Sequence, residues 1–156
     1  MTIEVRSVRR HDLPILKLMI RENIEYLNAI DEPEEVSDAT IDQIEGLVFG
    51  PSPLCSVVLA ELDREVAGYL LYFLGVDMDE VVPALHINDL FVRIAAHRHG
   101  VGRALMNQAR EIAVARGAAR LFWTVWRKNP QAIEFYRSLG AEVWDEELPI
   151  AWNARR

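Results

Sequence analysis

The sequence lacks several features that mark other classes of protein. Cys55 is the single cysteine among 156 residues, so an intrachain disulfide and a cysteine-based metal cage are both excluded. No apolar run approaches the roughly 18 residues that a membrane-spanning helix needs. The first ten residues contain no apolar signal core. We therefore expect no export, no membrane association and a cytoplasmic location.

Basic residues are scarce in the first half of the chain. Residues 1–85 carry 6 Lys and Arg against 17 Asp and Glu, whereas residues 86–156 carry 11 against 7. The net charge of the whole chain is −7. An acidic surface disfavours nucleic acid as a partner and attracts cationic small molecules. The basic half offers charge for an anion, although ordinary solvated surface would give the same distribution.

Residue patterning predicts one mixed α/β domain over residues 1–156 with the element order β-α-α-β-β-β-α-β-α-β. Apolar residues that alternate in steps of two predict strands, and apolar residues in steps of three and four predict helices. Predicted strands are 2–8, 56–62, 65–75, 84–93, 119–126 and a final strand or hairpin within 141–152. The first predicted helix begins near Asp12, and three further predicted helices cover residues 39–50, 102–117 and 129–140. Asp12 and Pro14 suit the start of the first helix, and the composition of 119–126 predicts a buried strand.

A glycine-containing loop, "HRHGVGRALM" at residues 97–106, runs from a predicted strand into a predicted helix. The N–H groups and partial positive charge of a helix N-terminus bind phosphate when glycines let a ligand approach. The spacing excludes a P-loop, since Arg103 follows the second glycine, and Leu105 excludes a dinucleotide fingerprint. A glycine-rich helix cap without a ligand is the alternative. His97 and His99 lack further ligands at metal-site spacing, so we expect no metal.

Taken together, the segments "INDLFVR", "HRHGVGRAL", "LFWTVW" and "NPQAIEFYRSLGA" resemble the GNAT superfamily of acetyl-CoA-dependent N-acetyltransferases. The family's loop motif is Arg/Gln-x-x-Gly-x-Gly/Ala; Gly100 and Gly102 match it, and His97 stands at the Arg/Gln position. "YLLYF", "DLFV" and "VWRKNPQAIEFYRSLGA" are similar to the diamine (spermidine/spermine-type) branch. The resemblance implies a central twisted sheet that is mixed but mostly antiparallel and is flanked by helices.

The resemblance also implies how acetyl-CoA, as co-substrate, would be held. Main-chain groups of Leu90, Phe91 and Val92 would pair with the pantetheine arm, and Asn129 would hydrogen-bond it. The pyrophosphate would lie against the N–H groups of the loop, which are those of Arg98, His99, Gly100, Val101, Gly102 and Arg103. Tyr136 would lie near the sulfur. Independently of the resemblance, Asn129 suits a helix N-cap before Pro130, and Tyr136 suits packing beside its neighbour.

The implied reaction is direct transfer of an acetyl group to a primary amine in a ternary complex. At pH 7 only about one alkyl ammonium in 2,500 has lost its proton, which adds roughly 4.6 kcal/mol to the barrier unless the site removes that proton. Asp89 is the candidate base or amine-binding group. Its neighbour Asn88 stands where the diamine branch has an acidic residue. Tyr136 is the candidate acid for the thiolate, and a strand N–H would stabilise the oxyanion.

The expected acceptor is a small cationic amine, either a diamine, a polyamine or a lysine-like amino acid. Acidic residues of the first half would bind a second ammonium or remain solvated: Glu22, Glu25, Asp31, Glu32, Glu34 and Glu35. A protein N-terminus, a protein lysine or an aminoglycoside is the alternative acceptor, and a non-catalytic acyl-CoA sensor is the alternative function. The family resemblance further implies a homodimer. Cys55 is expected in the core and not as a nucleophile.

Overall fold

A computed structural model describes residues 1–30, 35–144 and 150–151. Five strands form one mixed sheet in which strand order follows the chain. The strands are β1 (Ile3–Ser7), β2 (Ser56–Leu62), β3 (Glu65–Asp77), β4 (Val82–Val92) and β5 (Arg120–Phe122). Neighbouring strands β1 to β4 are antiparallel, and β5 lies parallel to β4. The predicted mixed, mostly antiparallel sheet flanked by helices is confirmed.

The described residues form five helices: α1 (Leu13–Asn28), α2 (Asp38–Asp42), α3 (Ile44–Phe49), α4 (Val101–Ala115) and α5 (Pro130–Ser138). Single turns of 3-10 helix precede α1 at residues 10–12 and α4 at residues 94–96. The chain divides into two compact units, residues 1–124 and residues 125–156. The first unit holds the whole sheet and α1 to α4, and the second holds α5.

The sheet of the first unit is buried on both faces. One face packs on α1 and α3 through an apolar cluster. Its buried members are Leu13, Leu16, Met19, Ile44, Val48, Val57, Leu59, Tyr69 and Phe91. Because successive side chains of a strand point to opposite faces, the intervening Val58 and Leu70 lie on the other face. Helix α4 packs against strands β1 to β4 and buries the side of its surface that carries Leu105 and Ala109.

The predicted strands 56–62 and 65–75 form an antiparallel hairpin, β2–β3. Asp63 and Arg64 connect the two strands with φ values of 49° and 74°. Positive φ at both central residues is the requirement of the tight turn that matches strand twist. Cys55 precedes β2 and packs against the apolar cluster of α1 and α3, as predicted. Burial raises the pKa of its thiol, which disfavours the nucleophilic thiolate.

Three local predictions need correction. Asp12 occupies the N-cap position of α1, but its carboxylate accepts hydrogen bonds from Arg6 and from the Arg9 N–H and does not cap the helix. The predicted helix 39–50 is two short helices that meet at Gln43. The predicted buried strand 119–126 is only the half-buried β5.

Half of the predicted C-terminal strand or hairpin, residues 141–152, lies outside the described residues. Residues 141–144 and 150–151 have no regular secondary structure, and the rest of the predicted strand or hairpin falls outside the described ranges. Within the described ranges, none of the helices is both long enough and apolar enough to cross a bilayer. The expectation of a single domain over residues 1–156 stays a prediction.

Candidate active site

Strand β4 is irregular at its centre and leaves one edge open. Leu71 of β3 pairs with Asp89, but the next residue, Tyr72, pairs with Ile87, so Asn88 is the extra residue of a β-bulge. On the other edge, β5 pairs only with residues 84–86 of β4. Within residues 1–124, β4 therefore continues from residue 87 to residue 92 with no strand on that edge. Unpaired main-chain groups of this kind accept an extended ligand as an added strand.

The alternation of an antiparallel pair decides which main-chain groups face the open edge. The Arg93 N–H donates to the Ala67 carbonyl over 2.9 Å, so Arg93 faces β3. The main-chain N–H and carbonyl groups of successive residues point to opposite edges of a strand. Those of Val92 and Leu90 therefore point to the open edge, and those of Phe91 point to β3. Phe91 was predicted to contribute main-chain groups to a ligand, and the structure directs those groups to β3 instead. Its ring is buried in the apolar cluster.

The glycine loop leads into α4 as the sequence predicts. Arg98 has φ of 63° and Gly100 has φ of 88°, while His99 between them is not in the positive-φ region. Alternating backbone handedness turns successive N–H groups into one concavity, which is an anion-binding nest. Gly100 is the N-cap of α4, and no side chain within the described part of the chain caps that helix start. The first-turn N–H groups are therefore available to a negatively charged ligand.

His97 closes back onto the strand that precedes the loop. Its Nε2 lies 2.8 Å from the Val92 carbonyl oxygen, and hydrogen bonding requires that this nitrogen carry the proton. The contact joins the start of the loop to the last residue of β4. His97 thus takes a structural role at the position where the family motif has Arg or Gln.

Asp89 lies at the centre of a hydrogen-bond network that joins three elements. The Tyr69 hydroxyl of β3 donates to Oδ2 of Asp89 over 2.5 Å. The Asn23 amide of α1 donates to Oδ1 and Oδ2 over 2.9 and 3.1 Å, and it lies 3.4 Å from the Tyr69 oxygen. Asn23 and Tyr69 are 6% and 0% exposed, so the network lies at the buried boundary between α1 and the sheet.

The charge of Asp89 is balanced by dipoles and not by a cation. No Lys, Arg or His nitrogen of the described residues forms an ion pair with its carboxylate. Burial raises the pKa of the Asp89 carboxyl, and hydrogen bonds from Tyr69, Asn23 and the Leu90 N–H oppose that increase. Burial and the adjacent Asp89 charge hold the pKa of Tyr69 well above its ordinary value. Tyr69 therefore remains a protonated donor at neutral pH.

The remaining predicted substrate residues occupy different surroundings. Asn88 is exposed at the bulge beside Asp89. Glu25 is exposed on α1, and an advance of two residues along a helix turns it about 200° from Asn23, so it does not join the Asp89 network. Glu22 forms a bidentate salt bridge with Arg93, in which two guanidinium nitrogens each lie 2.9 Å from a carboxylate oxygen. Asp31, Glu32 and Glu34 lie outside the described residues.

The second unit carries the other two predicted site residues. Asn129 is buried, and its Oδ1 accepts the Ala132 N–H over 3.1 Å, so the N-cap interpretation is confirmed. Pro130 occupies the first turn of α5. Tyr136 is half-buried on α5, with its ring centroid 5.2 Å from that of Phe135.

Sequence reasoning missed Asn23, Tyr69 and the Glu22–Arg93 pair. The sequence did contain a signal for Asn23, because position 23 lies on the same face of α1 as the buried Leu16 and Met19. A polar residue on that stripe needs a buried partner. Among residues 1–30, 35–144 and 150–151, no group of three or more His, Cys, Asp and Glu side chains is placed to hold a metal ion.

The model of the acetyltransferase (GNAT) family matches residues 19–141, which include the C-terminal part of α1, the whole bulged strand, the glycine loop and α5. This chain belongs to the acetyltransferase (GNAT) family. It is therefore an acyltransferase enzyme, and acetyl-CoA is the co-substrate of its family. The open edge of β4 fits a pantetheine arm, and the uncapped start of α4 fits a pyrophosphate, because each presents unpaired main-chain groups.

Two curated relatives are N-acetyltransferases that act on amines. The L-ornithine N5-acetyltransferase of Arabidopsis thaliana is 34% identical over 84 residues, which is 54% of this chain and 37% of that protein. The match thus spans little more than a third of that relative. The thialysine N-epsilon-acetyltransferase of Bos taurus is 24% identical over 148 residues, which is 90% of this chain and 84% of that protein.

Solved structures share the fold across nearly the whole chain. A Vibrio cholerae integron cassette protein superposes with a TM-score of 0.79 at 26% identity, covering 99% of this chain and 94% of that one. An aminoglycoside acetyltransferase from a soil metagenome superposes with a TM-score of 0.76 at 18% identity, covering 98% and 97%. The second likeness concerns the fold alone.

Proposed function

We propose that this acetyltransferase transfers the acetyl group of acetyl-CoA to a primary amine of a small cationic acceptor, by direct attack in a ternary complex. The acceptor class is a diamine, a polyamine or a lysine-like amino acid. One observation carries the proposal: the Asp89 carboxylate has no cationic partner among residues 1–30, 35–144 and 150–151, and it lies on the strand whose edge is open within residues 1–124. An acceptor ammonium would supply the missing positive charge.

Acetyl-CoA would bind along main-chain groups of the first unit. The Leu90 carbonyl and the Val92 N–H at the open edge would pair with the pantetheine arm, since the Val92 carbonyl is engaged by His97 and the Leu90 N–H by Asp89. The N–H groups of residues 98–103 would hold the pyrophosphate. Asn129 would contribute its Nδ2 to the cofactor arm, since its Oδ1 is occupied by the helix cap. When bound, acetyl-CoA supplies the activated thioester; the chain supplies alignment and proton transfer.

Asp89 would bind the ammonium of the acceptor and take its proton, either directly or through a water. A raised carboxyl pKa makes Asp89 a better proton acceptor than an ordinary aspartate. The main-chain N–H of Val92 would hydrogen-bond the acetyl oxygen as negative charge develops there. The Tyr136 phenol would supply a proton to the departing thiolate.

The two curated relatives support a small acceptor that carries more than one charged group. Their names specify ornithine and thialysine, both amino acids with an amine in the side chain. The negative charge of residues 1–85 is consistent with a cationic acceptor. The homodimer and the cytoplasmic location stay predictions.

The acceptor class is tested by following thiol release from acetyl-CoA against a panel of amines. The panel holds putrescine, spermidine, lysine, ornithine, thialysine, an aminoglycoside and a lysine-containing peptide. We expect the largest kcat/KM for a diamine, a polyamine or a basic amino acid, and a large loss of it in Asp89→Asn. Preference for the aminoglycoside or the peptide would reject the small-acceptor proposal. Binding of acetyl-CoA with no turnover of any amine would favour a sensor.

A further inference from the structure

We infer that Asn23 and Tyr69 are positioning residues for acetyl transfer, because together they fix the Asp89 carboxylate, in its ionised form, where it meets the acceptor amine. The inference rests on the proposed function, since it assigns a task to the residue that would bind the amine. Neither side chain touches the reacting atoms in this scheme. Each acts through Asp89.

The geometry of the network restricts Asp89 to one orientation. Tyr69 belongs to the strand beside β4, and Asn23 belongs to the helix that covers both strands. Donors from two elements converge on one carboxylate at distances of 2.5 to 3.1 Å. Rotation of the Asp89 side chain would break both sets of hydrogen bonds and leave buried donors unpaired, which is costly. The orientation is thus set before any substrate arrives.

The same donors select the ionised form of the carboxylate. A carboxylate accepts hydrogen bonds at both oxygens, whereas a protonated carboxyl loses one acceptor position. Asn23 donates to both oxygens, and the Tyr69 hydroxyl donates to Oδ2. The pKa of Asp89 is raised by burial and held down by these donors. Removing a donor would therefore raise it further.

Other charged groups on the elements around Asp89 are engaged elsewhere. On α1, Glu22 pairs with Arg93, the residue that follows β4, Arg21 pairs with Asp38, Lys17 pairs with Asp42, and Glu25 is exposed. On β3, Glu65 lies at the far end opposite Leu62, and Asp77 pairs with Arg120. The neutral donors Asn23 and Tyr69 are consequently the side chains that control the charge state of Asp89.

The test measures the pKa of Asp89 in two ways. Carbon NMR of the carboxyl gives that pKa in the full-length enzyme without substrates, and the acidic limb of kcat/KM for the best amine reports it in catalysis. The variants are Tyr69→Phe and Asn23→Leu. Tyr72→Phe is the matched control, because Tyr72 lies on the same strand and its hydroxyl has no hydrogen bond within the described residues.

We expect Tyr69→Phe to raise the carboxyl pKa from NMR and the apparent pKa of the acidic limb of kcat/KM by about one pH unit each, since it removes one hydrogen bond to a charged group. Activity should return at higher pH, which a loss of fold would not produce. Tyr72→Phe should leave both values in place. If Asn23→Leu fails to fold, as its melting curve would show, Tyr69→Phe still decides the matter.

Two results would overturn the inference, and a third would refute the proposed function. An unchanged carboxyl pKa in Tyr69→Phe would overturn the inference, and so would a changed pKa with an unmoved kinetic limb. Full activity of Asp89→Asn at all pH values would instead refute the role of Asp89 in the proposed function. That last result is independent of what the NMR measurement shows for Tyr69→Phe.

Discussion

Replacement of Gly100 by alanine tests the assignment of the glycine loop to acetyl-CoA. Gly100 has φ of 88°, and an L-residue in that region costs roughly 1–2 kcal/mol. A Cβ built there would meet Ile3 Cδ1 at 3.5 Å, which is ordinary van der Waals contact. The cost of Gly100→Ala therefore comes from the backbone conformation and not from a steric clash.

A second glycine on the same helix provides the matched control. Gly117 has φ of 70°, and a Cβ there would meet nothing within 4 Å. It follows the C-terminus of α4, whose 15 residues span about 22 Å, and so lies at the opposite end of the helix from Gly100. Gly117→Ala should lose a similar free energy of unfolding. For a chain of this size, each variant should melt about 2–8 °C lower than the wild type.

Only Gly100→Ala should weaken the binding of acetyl-CoA. Relaxation of its φ to a negative value would turn N–H groups of the loop away from the common concavity. A hydrogen bond to a charged group contributes about 1.5–3 kcal/mol, so loss of one should raise Kd by about ten-fold to a hundred-fold. Titration calorimetry gives Kd, and thermal unfolding gives the cost in stability. Equal melting losses with an unchanged Kd in Gly100→Ala would refute the assignment.

Substitutions at three further residues have defined expected outcomes. Hydrogen bonds from Arg6 lower the pKa of Asp12 to about 2, so this pair stabilises the fold fully above the ordinary value near 3.8 and loses its effect as pH falls to 2. Asp12→Asn should lower the free energy of unfolding by about 2 kcal/mol at pH 7. Urea unfolding measures this loss, and an equal loss at pH 7 and pH 3 would contradict the prediction. Tyr136→Phe should lower kcat by about a hundred-fold or more with unchanged acetyl-CoA affinity; unaltered kcat would remove Tyr136 from the mechanism. Asn129→Ala should lose about 1 kcal/mol of helix capping, whereas Asn129→Asp should retain the cap and lose only the amide donor. Equal melting temperatures for the two Asn129 variants would contradict that separation.

Local patterns predicted most of the elements in the first unit. Period-two alternation predicted β1, two runs rich in β-forming residues predicted β2 and β3, and helical spacing that ends at a glycine predicted α4. These segments were predictable because their own apolar faces decide their structure. The N-terminus of α1 was harder, since the Asp12 carboxylate has a stronger partner in the guanidinium of Arg6 than in a helix N–H.

Contacts that depend on residues far apart in the chain were not predictable from local pattern. Asp89, Asn23 and Tyr69 are separated by 20 to 66 positions, so nothing in any one segment indicates that they meet. The bulge at Asn88 and the short pairing of β4 with β5 likewise depend on register between strands. The sequence indicated Asp89 as a candidate, and the structure supplies the partners that would control its charge.

The most direct measurement of the proposed chemistry is an initial-rate study in which acetyl-CoA and the best small amine are both varied. Direct attack in a ternary complex predicts saturable thiol release with intersecting double-reciprocal lines and an acidic limb that reports Asp89. Parallel lines would indicate an acetylated enzyme intermediate. Thiol release at the hydrolytic background with every small cationic amine would contradict the proposed acceptor class.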